Sequence, residues 1–238
     1  MKHDRQTRRR AIAVLGSAGV AMTLGGCGTI IGPNEPPRRY RLTSKSTYPA
    51  NLPNVNWQLM VEPASAAASI NTDRIGLMQT PFRFNYYANA NWIDRAPLMV
   101  QNLIIESFDN SGAIVGVGPE AIGLRPDFVL KPELREFQAH LEDGAHRVVV
   151  AINARLVEMP ERQIIAVNSF EHAGKVPAGA LDPVIEAFDV ALGKVMKRLV
   201  LWTIEEGEKA WREREARSRA ASSQRHPIRR LIRPDPSG

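Results

Sequence analysis

Cysteine is almost missing from this sequence: Cys27 stands alone in 238 residues. That excludes an internal disulfide framework and any multi-cysteine zinc or iron–sulfur site. No run of about 18 consecutive apolar residues occurs, which excludes a multi-span helical membrane protein. The G-x-x-x-x-G-K-[ST] and G-x-S-x-G patterns are absent, so neither P-loop ATP hydrolysis nor an α/β-hydrolase nucleophile elbow is encoded. Gly116-Val117-Gly118 runs into Pro119 rather than a helix start and is too short for a dinucleotide loop. What remains is ordinary: 44% hydrophobic and 24% charged residues, enough for one sizeable globular domain.

The formal charge of +6 is unevenly placed. Residues 1–26 carry a balance of +4 and residues 207–238 a balance of +5, whereas residues 27–206 carry −3. A folded nucleic-acid reader carries its positive charge on the domain. This one does not, so nucleic acid is not an expected partner.

The N-terminus reads as an address. Lys2, Arg5, Arg8, Arg9 and Arg10 precede the uncharged stretch Ala11–Leu24. As a helix these residues would extend about 21 Å, short of the roughly 30 Å hydrocarbon core, as in a signal-peptide apolar region. The stretch ends in Leu24-Gly25-Gly26-Cys27, which resembles the lipobox of bacterial lipoproteins. Small side chains at Gly25 and Gly26 let the backbone enter a membrane protease beside an already lipidated thiol. The resemblance implies cleavage before Cys27, with that residue S-diacylglycerylated and N-acylated. Three acyl chains, each buried CH₂ contributing about 0.8 kcal/mol, form a durable anchor. Arg8 and Arg9 also match the arginine pair of a twin-arginine export motif, but Ala11 stands where that pattern prefers a bulky aromatic. The general secretory route is thus the first expectation. Gly28, not Asp, follows the cysteine, which favours the outer over the inner membrane.

Behind the anchor, residues 27–56 contain Pro33, Pro36, Pro37, Pro49 and Pro53 and read as a flexible tether, with only Tyr40-Arg41-Leu42 strand-like. Residues 57–206 read as one α+β domain: a mostly antiparallel sheet with two packed amphipathic helices. Strands are expected at Trp57–Glu62, Phe82–Tyr87, Ile114–Val117, Phe128–Leu141, Arg147–Val157 and Gln163–Glu171. The first helix is expected after an Asp94 cap with Pro97 in its first turn, ended by Asn110-Ser111-Gly112. The second begins at Asp182-Pro183 and presents Val184, Ile185, Phe188, Leu192, Val195, Leu199 and Trp202 on one face to about Glu206. Residues 207–238 read as a basic, disordered tail.

Chemistry-bearing side chains are scattered. His140, His146 and His172 lack the H-x-x-x-H spacing of a metal pair, and Glu120, Asp127, Glu133 and Glu136 read as a solvated acidic set rather than a glycosidase pair. No catalytic residue, metal or cofactor is assigned. The aromatic cluster Phe82, Phe84, Tyr86, Tyr87 and Trp92 is divided by strand alternation between core and surface, where Tyr and Trp suit partner contacts.

With these elements in order, the chain resembles the ABC-type transport auxiliary lipoprotein (PqiC-like) family. The resemblance runs from Cys27 through Tyr40-Arg41-Leu42, the Trp57–Pro63 strand, Asp73-Arg74-Ile75 and Trp92-Ile93-Asp94-Arg95-Ala96-Pro97. It resumes in Leu134-x-x-Phe137, the Phe170 strand and Leu199-Val200-Leu201-Trp202. It implies a non-enzymatic, lipid-anchored protein of the Gram-negative envelope facing the periplasm. Its implied partners are an MCE-domain (mammalian cell entry) protein, an ABC permease and an ATPase that together move lipids. A lipid-tethered periplasmic hydrolase and a purely structural envelope lipoprotein are the alternatives.

Overall fold

The computed structural model describes residues 36–224, apart from positions 124, 143 and 178. In chain order the elements are β1 (Arg38–Tyr40), β2 (Val55–Val61), β3 (Ser65–Ala66), β4 (Arg74–Thr80), β5 (Arg83–Trp92), α1 (Ala96–Ser111) and β6 (Ile114–Gly118). A 3-10 turn (Glu120–Ile122) leads to β7 (Phe128–Glu142), β8 (Ala145–Glu158), β9 (Gln163–Val176) and α2 (Leu181–Gln224).

β7 organises the sheet. Along one edge it pairs with β8 over its whole length, and β8 pairs with β9. Along the other edge it takes three short partners in succession: β2 at Phe128–Leu130, β3 at Glu133–Leu134 and β4 at Gln138–His140. β6 extends β2, and β5 and β1 extend β4.

The sheet is mixed, which corrects the expectation of a mostly antiparallel one: five of its eight strand pairings are parallel. The connections explain the division. Each antiparallel pairing joins strands linked by a tight turn: residues 81–82, 143–144 and 159–162. Each parallel pairing joins strands separated by a long excursion, as parallel geometry requires. Alternation in sequence reports which face a residue takes and carries no information about strand direction.

The turns follow their residues. Gly144 takes φ 75° between the paired Glu142 and Ala145, the left-handed conformation that a two-residue hairpin needs. α1 ends on Gly112 at φ 62°, whose N–H donates to the Asp109 carbonyl at 3.1 Å. Its start differs from expectation. The N-cap position is Arg95 with no side-chain cap, and the Asp94 carboxylate accepts from the adjacent Arg95 N–H instead. Pro97 in the first turn supplies the preset φ that replaces a cap.

Both helices contribute to one core with the sheet. α2 buries Val184, Phe188, Leu192, Val195, Leu199 and Ile204 at helical spacing. Trp92 of β5, Phe137 of β7 and Phe188 of α2 form a triangle of rings with centroids 5.2–5.4 Å apart. Trp57 of β2 stands edge-on to Phe128 at 5.0 Å. Apolar burial of this kind, about 25 cal/mol per Å², is the main source of stability.

Two boundaries move. The described part of the expected tether, from Pro37 on, is strapped to the domain. Leu42 is fully buried, the Thr43 N–H and Oγ1 both donate to Asp189 Oδ1, at 2.6 and 2.9 Å, and the Lys45 N–H donates to Ser107 Oγ at 2.9 Å. Proline-rich, polar chain resembles a linker, yet here the helices' side chains satisfy its backbone and three apolar residues, Leu42, Tyr48 and Leu52, pin it.

The second helix also runs past Glu206 to Gln224, so residues 207–224 are helical rather than disordered. Its 44 residues span about 66 Å, whereas the 14-residue strands it packs on span about 46 Å. The overhang is held by i,i+4 ion pairs, Glu208–Arg212, Glu213–Arg217 and Glu215–Arg219, and its residues Glu215 to Ser223 are solvent-exposed.

Candidate binding surface along the second helix

The sequence-derived site residues Arg8, Arg9, Leu24, Gly25, Gly26 and Cys27 lie outside the described residues. The histidines are kept apart. His140 Nε2 lies 3.3 Å from Glu136, His172 Nε2 lies 3.2 Å from Lys194 Nζ, and His146 Nδ1 is hydrogen-bonded with the Tyr87 hydroxyl at 2.8 Å. Burial pushes the Tyr87 hydroxyl up to about 12, so it stays protonated at neutral pH and able to donate. His172 is pushed down by burial and then by Lys194 and Arg198.

The four carboxylates are equally dispersed. Glu133 is held below the ordinary range by its hydrogen bond to Arg135, with Arg155 adding to it. Glu136 faces His140, and Glu120 sits on the 3-10 turn. Asp127 binds Arg214 at 2.8 Å and accepts from the Gln58 N–H at 3.0 Å. Among the described residues, no group of three His, Cys, Asp or Glu side chains could hold a metal ion.

The aromatic cluster divides as strand alternation requires, with one surprise. Trp92 is fully buried. Phe84 lies over Gly76, where a Cβ would meet the Phe84 ring at 2.7 Å, and Tyr86 carries the Arg74 guanidinium 3.8 Å above its ring. Phe82, on the β4–β5 turn, packs on nothing and is 98% exposed.

Two concave surfaces lie on either side of the second half of α2. One groove, about 700 Å³, runs between the 49–53 segment and the helix, with Leu52, Pro53, Leu201 and Ile204 as its floor and Glu205, Glu208, Lys209 and Arg212 on its rim. The other, about 650 Å³, lies against the β8–β9 turn and is charged: Glu158, Glu161, Glu206, Lys209, Glu213 and Arg214 line it. Arg214 fixes the helix between them. It binds Asp127, donates to the Met159 carbonyl at 3.2 Å and stacks 4.3 Å from the Trp211 ring. An apolar floor with a charged rim suits an amphipathic segment.

Sequence reasoning missed both grooves. It read one wall as tether and took Gly207 as the end of the helix. The available signal was the i,i+4 alternation of Glu and Arg beyond position 207.

Among the described residues, no helix is long and apolar enough to cross a membrane. The Xanthomonas campestris protein of known crystal structure superposes with a TM-score of 0.70 at 28% identity, over 74% of this chain and 99% of that one. A second crystal structure shares the fold at a TM-score of 0.55 and 15% identity, over 70% of this chain and 97% of the other. An uncharacterised protein of Bradyrhizobium diazoefficiens is 30% identical over 151 residues, which are 61% of this chain. The chain matches only 39% of that relative's length. The family model for the ABC-type transport auxiliary lipoprotein component matches residues 40–200, from the strand that opens the fold to the buried stretch of α2. On that match, the chain belongs to the family of ABC-type transport auxiliary lipoprotein components.

Proposed function

We propose that this protein is a lipid-anchored accessory subunit of an MCE-type ABC transport system that moves lipids across the Gram-negative envelope. The observation that carries the reading is the order of two features. A basic and apolar leader ends in Leu24-Gly25-Gly26-Cys27, and the auxiliary lipoprotein family match begins shortly after it, at residue 40. The anchor holds the domain at the periplasmic face of a membrane, the outer one by the Gly28 criterion. The grooves beside α2 serve as contact surfaces for the MCE-domain protein, which links the domain to the permease–ATPase pair. The role is one of docking and scaffolding, with no reaction performed by this chain.

Affinity purification of the tagged full-length chain from envelopes is expected to recover an MCE-domain protein, a permease and an ATPase. Cys27→Ala is expected to move the chain from the membrane to the aqueous fraction and abolish its support of envelope lipid homeostasis. A Cys27→Ala chain that stays membrane-bound and fully functional contradicts the anchoring. Recovery of no transporter subunit contradicts the accessory role and favours the purely structural alternative.

A further inference from the structure

Phe82 is the least buried large apolar residue among those described, 98% exposed at the tip of the two-residue β4–β5 turn. A single exposed apolar residue is unremarkable in itself. Its position in the topology gives it meaning. β4 runs parallel to β7, so the β4–β5 turn lies at the same end of the sheet as the β7–β8 turn. The antiparallel pairing of β8 with β9 brings the C-terminal end of β9 there as well.

β1 runs parallel to β5, away from this end. The Arg38 end of β1 is therefore the one turned toward the side on which Phe82 stands. Arg38 pairs at Ala90 and Arg74 pairs at Asn91, so the start of β1 is six β4 residues, about 20 Å, back from the tip. Cys27 precedes Arg38 by eleven residues, a reach of at most about 40 Å. The tether is long enough to set the tip against the surface that holds Cys27, and short enough to keep it near.

The rest of this end fits an anionic, partly apolar surface. Leu141 is also exposed, next to the β7–β8 turn. Arg83 follows Phe82 directly, and Arg147 and Lys175 are register partners near this end of β8 and β9. Glu142, also at this end, accepts from Arg147 at 2.9 Å. Basic side chains close to an anionic bilayer are attracted to its headgroups, and an aromatic side chain at such a site enters the headgroup–acyl boundary.

We propose that the Pro81-Phe82 turn is a second membrane contact: Phe82 inserts beside the acyl anchor and Arg83 faces anionic lipid headgroups. The domain then stands with its β4–β5 and β7–β8 turns toward the bilayer and the overhanging end of α2 directed away from it. This rests on the Cys27 anchoring proposed above. It adds an orientation that anchoring alone does not supply.

The test uses the full-length chain, matured and lipidated in its host, carrying Phe82→Cys. Acylation blocks the sulfur of Cys27, so a thiol-reactive environment-sensitive fluorophore labels position 82 alone. The control is Ser222→Cys at the far end of α2. Each is reconstituted into phosphatidylethanolamine–phosphatidylglycerol vesicles with or without a phospholipid spin-labelled near the headgroup. Quenching of about threefold is expected at 82 and none at 222, because insertion of about 5–10 Å brings the label to the depth of the spin.

A chain that floats with the vesicles yet shows no quenching at 82 overturns the tip contact and leaves the anchor standing. Quenching at 222 instead of 82 overturns it in favour of an Arg-rich helix lying on the membrane. A chain that does not float and carries no acyl mass removes the anchor reading, and the tip proposal with it.

Discussion

Phe188→Ala is expected to lower the unfolding free energy by about 3–5 kcal/mol, the cost of emptying a buried phenylalanine site that collapses poorly. The site has little freedom to collapse. Phe188 is fully buried, its ring 5.2 Å from both Trp92 and Phe137, and edge-on to the Trp92 indole at 83°. These rings belong to three different elements, α2, β5 and β7, so filling the void requires a helix or a strand to shift. A domain with a total stability of about 5–15 kcal/mol would lose a large part of it. Denaturant unfolding measures this as a fall in midpoint at constant slope. Phe188→Leu, which restores most of the volume, is expected to cost less than about 1.5 kcal/mol. A Phe188→Ala loss no larger than that would show that α2 does not close the core at this point.

Gly207→Val is expected to be destabilising by about 3 kcal/mol, and Gly207→Ala by about 1–2 kcal/mol, the upper range for overpacking less the helix propensity gained on leaving glycine. Glycine in mid-helix is ordinarily a weakness. At this position a Cβ would lie 2.7 Å from Cζ2 of Trp57 and 3.0 Å from its Cη2. Trp57 is fully buried and braced on its other side by Phe128, so the indole cannot yield as an exposed side chain would. The missing side chain at 207 is what lets α2 continue over β2 instead of lifting off it. A double-mutant cycle with Trp57→Phe tests the cause. Trp57→Phe removes the ring atoms that clash, so the two substitutions together are expected to cost less than their sum. Equal or higher stability for Gly207→Ala alone would contradict the close approach.

Gly207 also shows where sequence reading stops. A glycine followed by a polar, Arg-rich stretch is the usual signature of a helix end, and the same residue here serves a tertiary contact 150 positions away in the chain. Local pattern could not supply Trp57 as the reason. The expected tether failed in the same way, because the groups that hold Thr43 and Lys45, Asp189 and Ser107, belong to helices far along the chain. What depends on short-range chemistry was legible. The apolar stripe of α2 and the Gly112 stop each follow from spacing or from a single residue's conformational freedom. Strand direction, set by which distant edges meet on β7, was not. Of the proposed functional surface, the sequence displayed Cys27 and the aromatic cluster, but not the topology that places Phe82 on the side toward which the Arg38 end of β1 is turned.

Lipidation of one sulfur atom decides whether the domain is held at a membrane as proposed, and intact-mass analysis of the protein purified from its own membranes reads it directly. The expected species begins at Cys27, lacks residues 1–26, and carries a diacylglyceryl thioether together with an N-terminal acyl chain. A species that retains Met1 with an unmodified Cys27 would contradict it.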